Sequence, residues 1–167
     1  NRARFLREAR AAAKVEHDHI VPIWQVGEEL VTNPTTGEQQ IVPFIAMPAL
    51  SGETLEARLK RERILPIAMA LKVALEVAKG LTATHKADLI HRDIKPGNIW
   101  LEGDPTSDDP NERFRRTKIL DFGLARDVGK DTLNTSGASM GTPAYMAPEQ
   151  AHGWTIDHRV DLFSLGG

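Results

Sequence analysis

Leu89-Ile90-His91-Arg92-Asp93-Ile94-Lys95-Pro96-Gly97-Asn98-Ile99 is the stretch on which the reading of this chain turns. Apolar residues flank a run of polar and charged ones, and Pro96-Gly97 marks a turn inside it. Short apolar runs around such a pair describe a loop held between buried elements. Loops that gather reactive side chains on a buried scaffold are where binding and catalysis concentrate. Asp93 can accept a proton from a hydroxyl, and Asp93 and Asn98 can offer oxygens to a hard cation. Alone, the cluster reads equally well as a solvated turn.

Two further stretches change that balance. Lys118-Ile119-Leu120-Asp121-Phe122-Gly123-Leu124 is a short apolar strand running into Asp-Phe-Gly, and Gly141-Thr142-Pro143-Ala144-Tyr145-Met146-Ala147-Pro148-Glu149 follows a polar segment. The order His-Arg-Asp with an Asn five residues after the Asp, then Asp-Phe-Gly, then Ala-Pro-Glu, resembles the protein-kinase signature set. Lys95 followed by Pro96 matches the Ser/Thr class, and the chain looks most like the bacterial kinases of eukaryotic type. The resemblance implies an α+β, protein-kinase-like two-lobed fold, incomplete at both ends. Residues 1–47 are expected to form part of the small lobe, 48–52 the hinge and 53–167 the first part of the large lobe.

The same resemblance implies roles. Asp93 orients the substrate hydroxyl, Lys95 meets the transferred phosphoryl group, and Asn98 and Asp121 hold Mg²⁺, for which Mn²⁺ can substitute. Thr142 matches the residue that contacts the catalytic Asp and Lys. Met47 stands at the gatekeeper position, and Pro48 and Leu50 follow in the adenine-binding hinge. Pro48 replaces a common acidic residue, keeping the carbonyl that adenine uses while lacking an N–H. Glu8 lies where the family has its ion-pairing helix Glu. Arg92 is suited to pair with a phosphate on the following loop, whose hydroxyls are Thr132, Thr135, Ser136 and Ser139. His91, Phe122, Gly123, Glu149 and Asp161 take structural places, Asp161 as the Asp that braces the catalytic loop. The partners implied are ATP and a protein substrate with a Ser or Thr acceptor.

Composition sets outer bounds. With 167 residues, 41% hydrophobic and 26% charged, the chain has the size of one globular domain. A net charge of -2 gives no reason to expect a nucleic-acid partner. The absence of cysteine excludes disulfides and thiolate metal sites. No apolar run reaches membrane-spanning length, so no membrane contact is expected of this segment. Its expected location is cytoplasmic, with any membrane anchor elsewhere in the full-length protein. The chain starts at Asn1 without a Met, and it has neither a Gly-rich phosphate loop nor a strand Lys to partner Glu8. It reads as a fragment that is inactive alone.

Taken in order, residues 1–15 show one apolar helical face. His17-Asp18-His19 reads as a turn, since no third metal ligand accompanies the two histidines. Val21–Val26 and Ile41–Met47 read as a hairpin with Thr32–Gly37 at its tip. Thr54 is placed to cap a short helix to Arg61. Pro66 opens a long helix whose apolar line is Ile67, Ala70, Leu71, Ala74, Val77, Ala78, Leu81 and His85. Ile99–Leu101 and Thr117–Leu120 read as a second hairpin, with Glu102–Arg116 a solvated insertion. A helix begins near Asp161, where Leu162, Phe163 and Leu165 are expected to lack most of their packing partners. Two other readings compete: a pseudokinase acting as an interaction module, opposed by the intact Asp93, Asn98 and Asp121, and a small-molecule phosphotransferase, opposed by the peptide-docking look of Gly141–Glu149.

Overall fold

In the computed structural model the described residues are 2–104, 106–109, 113–121 and 143–167. Helix α1, Arg2–Ala12, buries Leu6, Ala9 and Ala12. The two alanines allow close approach, and a core cluster of Ala9, Ala12, Val15 and Ile20 forms beneath them. Val26 and Ile45 pack against it from strands β1 (Gln25–Thr32) and β2 (Gln39–Ala46), and Ala83 and Leu89 from further along the chain.

Strands β1 and β2 pair antiparallel, from Gln25 opposite Ala46 to Thr32 opposite Gln39. The first strand starts later and runs further than the apolar pattern suggests. Val21 N–H already donates to Ile119 O at 3.0 Å, in a parallel bridge between Ile20 and Ile119, and Pro22 has no N–H to give a ladder. The expected tip is present. Asn33 Oδ1 accepts from Thr35 N (2.9 Å) and Thr36 N (3.3 Å), and Gly37, at φ 73°, donates to Asn33 O at 2.9 Å.

A second sheet has the order β3 (Gly52–Thr54), β4 (Ile99–Glu102), β5 (Arg116–Ile119), all antiparallel. Strand β3 is too short to show a pattern in the sequence. It exists because Gly52 sits at φ 120°, where an added Cβ would lie 2.0 Å from Leu101 O. Only glycine fits so close to a neighbouring backbone. Thr54 then caps helix α2, Leu55–Glu62, accepting Ala57 N at 3.1 Å.

Helix α3, Ile67–Lys86, starts one residue later than expected, with Pro66 as its N-cap. Its buried line is Val73, Val77, Gly80, Leu81 and Thr84, while Ile67, Leu71 and Leu75 stay 79%, 66% and 57% exposed. The helix is apolar on more than one face, and among the described residues the strands cover the Val73, Val77 and Leu81 face. A Cβ on Gly80 would come 2.8 Å from Ile119 Cδ1 and 3.0 Å from His19 O, so α3 lies directly on β5 and the turn before β1. Val73, Val77 and Leu81 join Ile94, Ile99, Leu101, Phe114 and Ile119 in the main core. Each such side chain contributes about 1.5–3 kcal/mol on burial.

The insertion between β4 and β5 is only partly solvated. Glu102 and Arg116 are the facing strand ends and form an ion pair. Phe114 tucks into the core with Lys72 Nζ 4.3 Å above its ring. The His17–Ile20 turn is tied to β5 as well: Lys118 Nζ donates to Asp18 O at 3.0 Å, and His19 Nδ1 donates to Thr117 O at 3.1 Å. His17 Nδ1 accepts His19 N, so both histidines are spent on the turn. The chain closes with a 3₁₀ turn at Pro143–Tyr145, helix α4 at Pro148–Ala151 and helix α5 at Arg159–Gly166. Helix α5 buries Val160, Asp161 and Ser164 and leaves Leu162 and Phe163 half-exposed, while Leu165 packs on the main core.

Candidate active site

The loop 91–98 is pinned by two buried apolar side chains, Ile94 within it and Ile99 directly after it. It follows α3 through a tight reversal in which Leu89 N donates back to Thr84 O at 3.0 Å. Its first support is Asp161 on α5, which is fully buried. Asp161 Oδ2 accepts His91 N at 2.9 Å and His85 Nε2 at 2.8 Å, and Oδ1 accepts Arg92 N at 2.7 Å. Hydrogen bonds to an ionised carboxylate are about twice as strong as neutral ones. Here they spend the charge of Asp161 on two main-chain N–H groups that would otherwise be buried unpaired.

His91 is the second support, and it too is fully buried. Its Nδ1 accepts Asp93 N at 3.3 Å, so its proton is on Nε2, which donates to Leu120 O at 2.8 Å. The ring is therefore neutral. Burial holds its pKa below the ordinary 6.5, against the raising pull of the Leu120 carbonyl and of Asp161, Asp93 and Asp121. Through Leu120 the loop is joined to the strand that delivers Asp121, and Leu120 N returns a bond to Asn98 O at 2.9 Å.

Upon this frame the polar side chains of the loop converge. Lys95 Nζ and Asn98 Nδ2 both donate to Asp93 Oδ2, each at 2.8 Å, and Asn98 Nδ2 also reaches Asp93 O at 2.8 Å. Both partners of the Asn98 amide nitrogen are acceptors, so its orientation is fixed and Oδ1 faces elsewhere. Asp121 is exposed and sits at φ 46°, a left-handed conformation at the end of β5. An amide oxygen and one carboxylate are hard donors. They fit a Mg²⁺ ion that takes its remaining ligands from phosphate oxygens and water. Among the described residues there is no cluster of three or more His, Cys, Asp or Glu that would make a separate metal cage.

Other sequence-derived candidates fall as follows. Met47, Pro48 and Leu50 lie in the irregular segment between β2 and β3. Among the described residues neither Pro48 O nor Leu50 N has a hydrogen-bond partner. Glu8 pairs with Arg4 on its own helix at 3.0 Å. Glu149 is half-buried at the start of α4 and forms no ion pair with a described residue. Phe122, Gly123, Thr132, Thr135, Ser136, Ser139 and Thr142 lie outside the described residues.

Two contributors have no clear mark in the sequence. His85 falls in the apolar line of α3, yet it ends on Asp161. Gln150 on α4 donates from Nε2 to Arg92 O at 3.0 Å; its position directly after Ala147-Pro148-Glu149 is the one hint available.

Comparison with known proteins bears on the family. The family model described as protein kinase domain matches residues 1–167. A probable serine/threonine-protein kinase of Streptomyces coelicolor is 36% identical over 166 residues, covering 98% of this chain and 22% of that protein. The probable serine/threonine-protein kinase PknB of Bifidobacterium longum is 39% identical over 166 residues, with the same coverage of 98% and 22%. Among solved structures, the Mycobacterium tuberculosis PknI kinase domain superposes with a TM-score of 0.68 at 28% identity, over 98% of this chain and 53% of that one. The chain thus spans about a fifth of the curated relatives and about half of the solved kinase domain.

Proposed function

Because the chain belongs to the protein kinase domain family, we propose that the complete domain transfers the γ-phosphoryl group of ATP to Ser or Thr hydroxyls of proteins. The observation that carries this reading is the convergence of Lys95 and Asn98 on one oxygen of Asp93. Two donors on Oδ2 hold the carboxylate in one plane, as an acceptor for the hydroxyl proton. Phosphoryl transfer asks the protein for alignment and charge compensation more than for covalent help. Lys95 supplies a cation beside Asp93, aimed at the transferred group. Asn98 Oδ1 and the Asp121 carboxylate would hold Mg²⁺, which when bound neutralises phosphate charge. Pro48 O and Leu50 N are main-chain groups fit for the adenine edge, with residues 1–47 and 53–167 as the parts of the small and large lobes on either side of the 48–52 hinge. Glu8 would exchange Arg4 for a strand Lys.

No helix among the described residues is long and apolar enough to cross a membrane. We place the domain in the cytoplasm, where ATP and Mg²⁺ are supplied. Phosphorylation within 132–139, at Thr135 or Ser136 first, would add about −1.5 to −2 charge, for which Arg92 is a cation of the right kind; mass spectrometry of the active domain checks it, and a phosphate-free segment at full activity removes it.

The test of the main reading is the complete domain incubated with γ-labelled ATP, Mg²⁺ and a generic basic protein. Label on Ser or Thr is expected. No transfer by the wild type, or transfer that survives Asp93→Ala unchanged, overturns it.

A further inference from the structure

We propose that Gln150 is a positioning residue for the transfer reaction: its side-chain amide clamps the Arg92 carbonyl and thereby sets how Asp93 presents its carboxylate. The proposal rests on the phosphotransfer reading above.

Arg92 has φ 67°, in the left-handed region. A long-chain residue holds that conformation only where its surroundings over-determine it. Two side chains from two different elements do so here. Asp161 on α5 takes the Arg92 N–H at 2.7 Å, and Gln150 on α4 gives a hydrogen bond to the Arg92 carbonyl at 3.0 Å. The peptide planes before and after the Arg92 Cα are thus fixed separately. The plane that carries Arg92 C=O is the one that carries Asp93 N–H, because the peptide unit is rigid. That N–H points to His91 Nδ1 at 3.3 Å. Turning the carbonyl away from Gln150 therefore turns the Asp93 N–H away from His91, and the Asp93 side chain with it.

The clamp is itself oriented. Gln150 Oε1 accepts Ala147 N at 3.3 Å while Nε2 faces the Arg92 carbonyl. Reversing the amide would set oxygen against carbonyl and NH₂ against N–H, so one orientation is fixed. Ala147 is fully buried beside this contact, which anchors the start of α4. The segment that follows the polar loop is in this way wired to the residue immediately before the catalytic Asp.

Gln150→Glu in the complete domain separates this role from simple helix capping. It keeps the size of the side chain and an oxygen for Ala147 N, and it replaces the donor facing Arg92 O with a second acceptor. The expected result is a roughly five- to tenfold lower kcat at unchanged KM for ATP, the scale of one lost hydrogen bond. Amide hydrogen exchange should rise at Asp93 and Ile94 and stay at wild-type rates in α3. Wild-type kcat with wild-type exchange in the loop overturns the proposal. So does a kcat loss accompanied by faster exchange throughout α3, which marks general loosening. Should Gln150→Glu fail to fold, Gln150→Met carries the same two measurements with the same expected and overturning results. A wild-type domain that transfers no phosphate ends the phosphotransfer reading. Exchange then decides the clamp alone: faster at Asp93 and Ile94 supports it, unchanged overturns it.

Discussion

The hairpin tip 33–38 and the loop 91–98 both turn the chain through a left-handed residue, and they support it in opposite ways. At the tip that residue is Gly37, which bears the conformation without strain, and the supporting bonds come from Asn33 four residues away. In the loop 91–98 it is Arg92, a residue ill-suited to φ 67°, and the support comes from Asp161 and Gln150, 69 and 58 positions along the chain. The tip is a local solution that would turn the chain almost anywhere. The loop is strained and held in place by the rest of the fold, a state that persists only where the surroundings over-determine it.

This contrast can be broken at its strongest point first. Asp93→Ala in the complete domain should lower turnover by roughly three or more powers of ten, the scale of lost alignment and charge stabilisation. Thermal unfolding should move little, because Asp93 hangs from the frame and does not build it. Single-turnover phosphate transfer beside a melting curve measures both, and near-wild-type turnover would refute the role given to Asp93.

Removing the frame should invert that pattern. Asp161→Ala leaves His91 N, Arg92 N and His85 Nε2 without their acceptor in a buried site. Each stranded donor costs about 1–3 kcal/mol, so urea denaturation should show a loss of about 3–5 kcal/mol. Against a typical stability of about 5–15 kcal/mol that endangers the fold itself. A loss below about 1 kcal/mol would mean that the loop does not depend on remote support.

A smaller effect follows from His91. Its folded pKa is depressed by burial, so the unfolded chain takes up this proton first as pH falls. The stability His91 contributes is full above 6.5 and is lost as pH drops through the lower folded value. The slope from this one group is at most about 1.4 kcal/mol per pH unit. Denaturation midpoints from pH 8 to pH 5 measure it, and His91→Gln should remove that share of the slope. An equal slope in both proteins would assign it to other groups.

The smallest change belongs to the tip. Gly37→Ala meets no atom within 4 Å but must hold φ 73°. It should cost about 1 kcal/mol in stability and leave turnover untouched. An activity change there would show that the hairpin tip is coupled to the site after all.

The sequence alone determined what can be written in short range. The Asn33–Gly37 turn, the Thr54 cap and the existence of α3 follow from turn chemistry, capping and apolar spacing, whose energies act within a few residues. So do the chemical types gathered in 91–98 and at Asp121, because hard-oxygen donors and a proton acceptor are properties of the residues themselves. The tertiary structure decided everything that depends on who lies across from whom. It chose which of several apolar faces of α3 is buried, since among the described residues β4, β5 and the loop anchors lie against the Val73, Val77 and Leu81 face. It made a strand of Gly52–Thr54, which has no pattern of its own, by bringing Leu101 O against a residue with no Cβ. It started β1 later than Val21, whose N–H is spent on Ile119. Above all it joined His85 to Asp161, whose bracing place the family resemblance alone had suggested, and turned Gln150 into a support for a loop far away in the chain, because a hydrogen bond between distant residues leaves no periodicity to read and exists only once the core has closed.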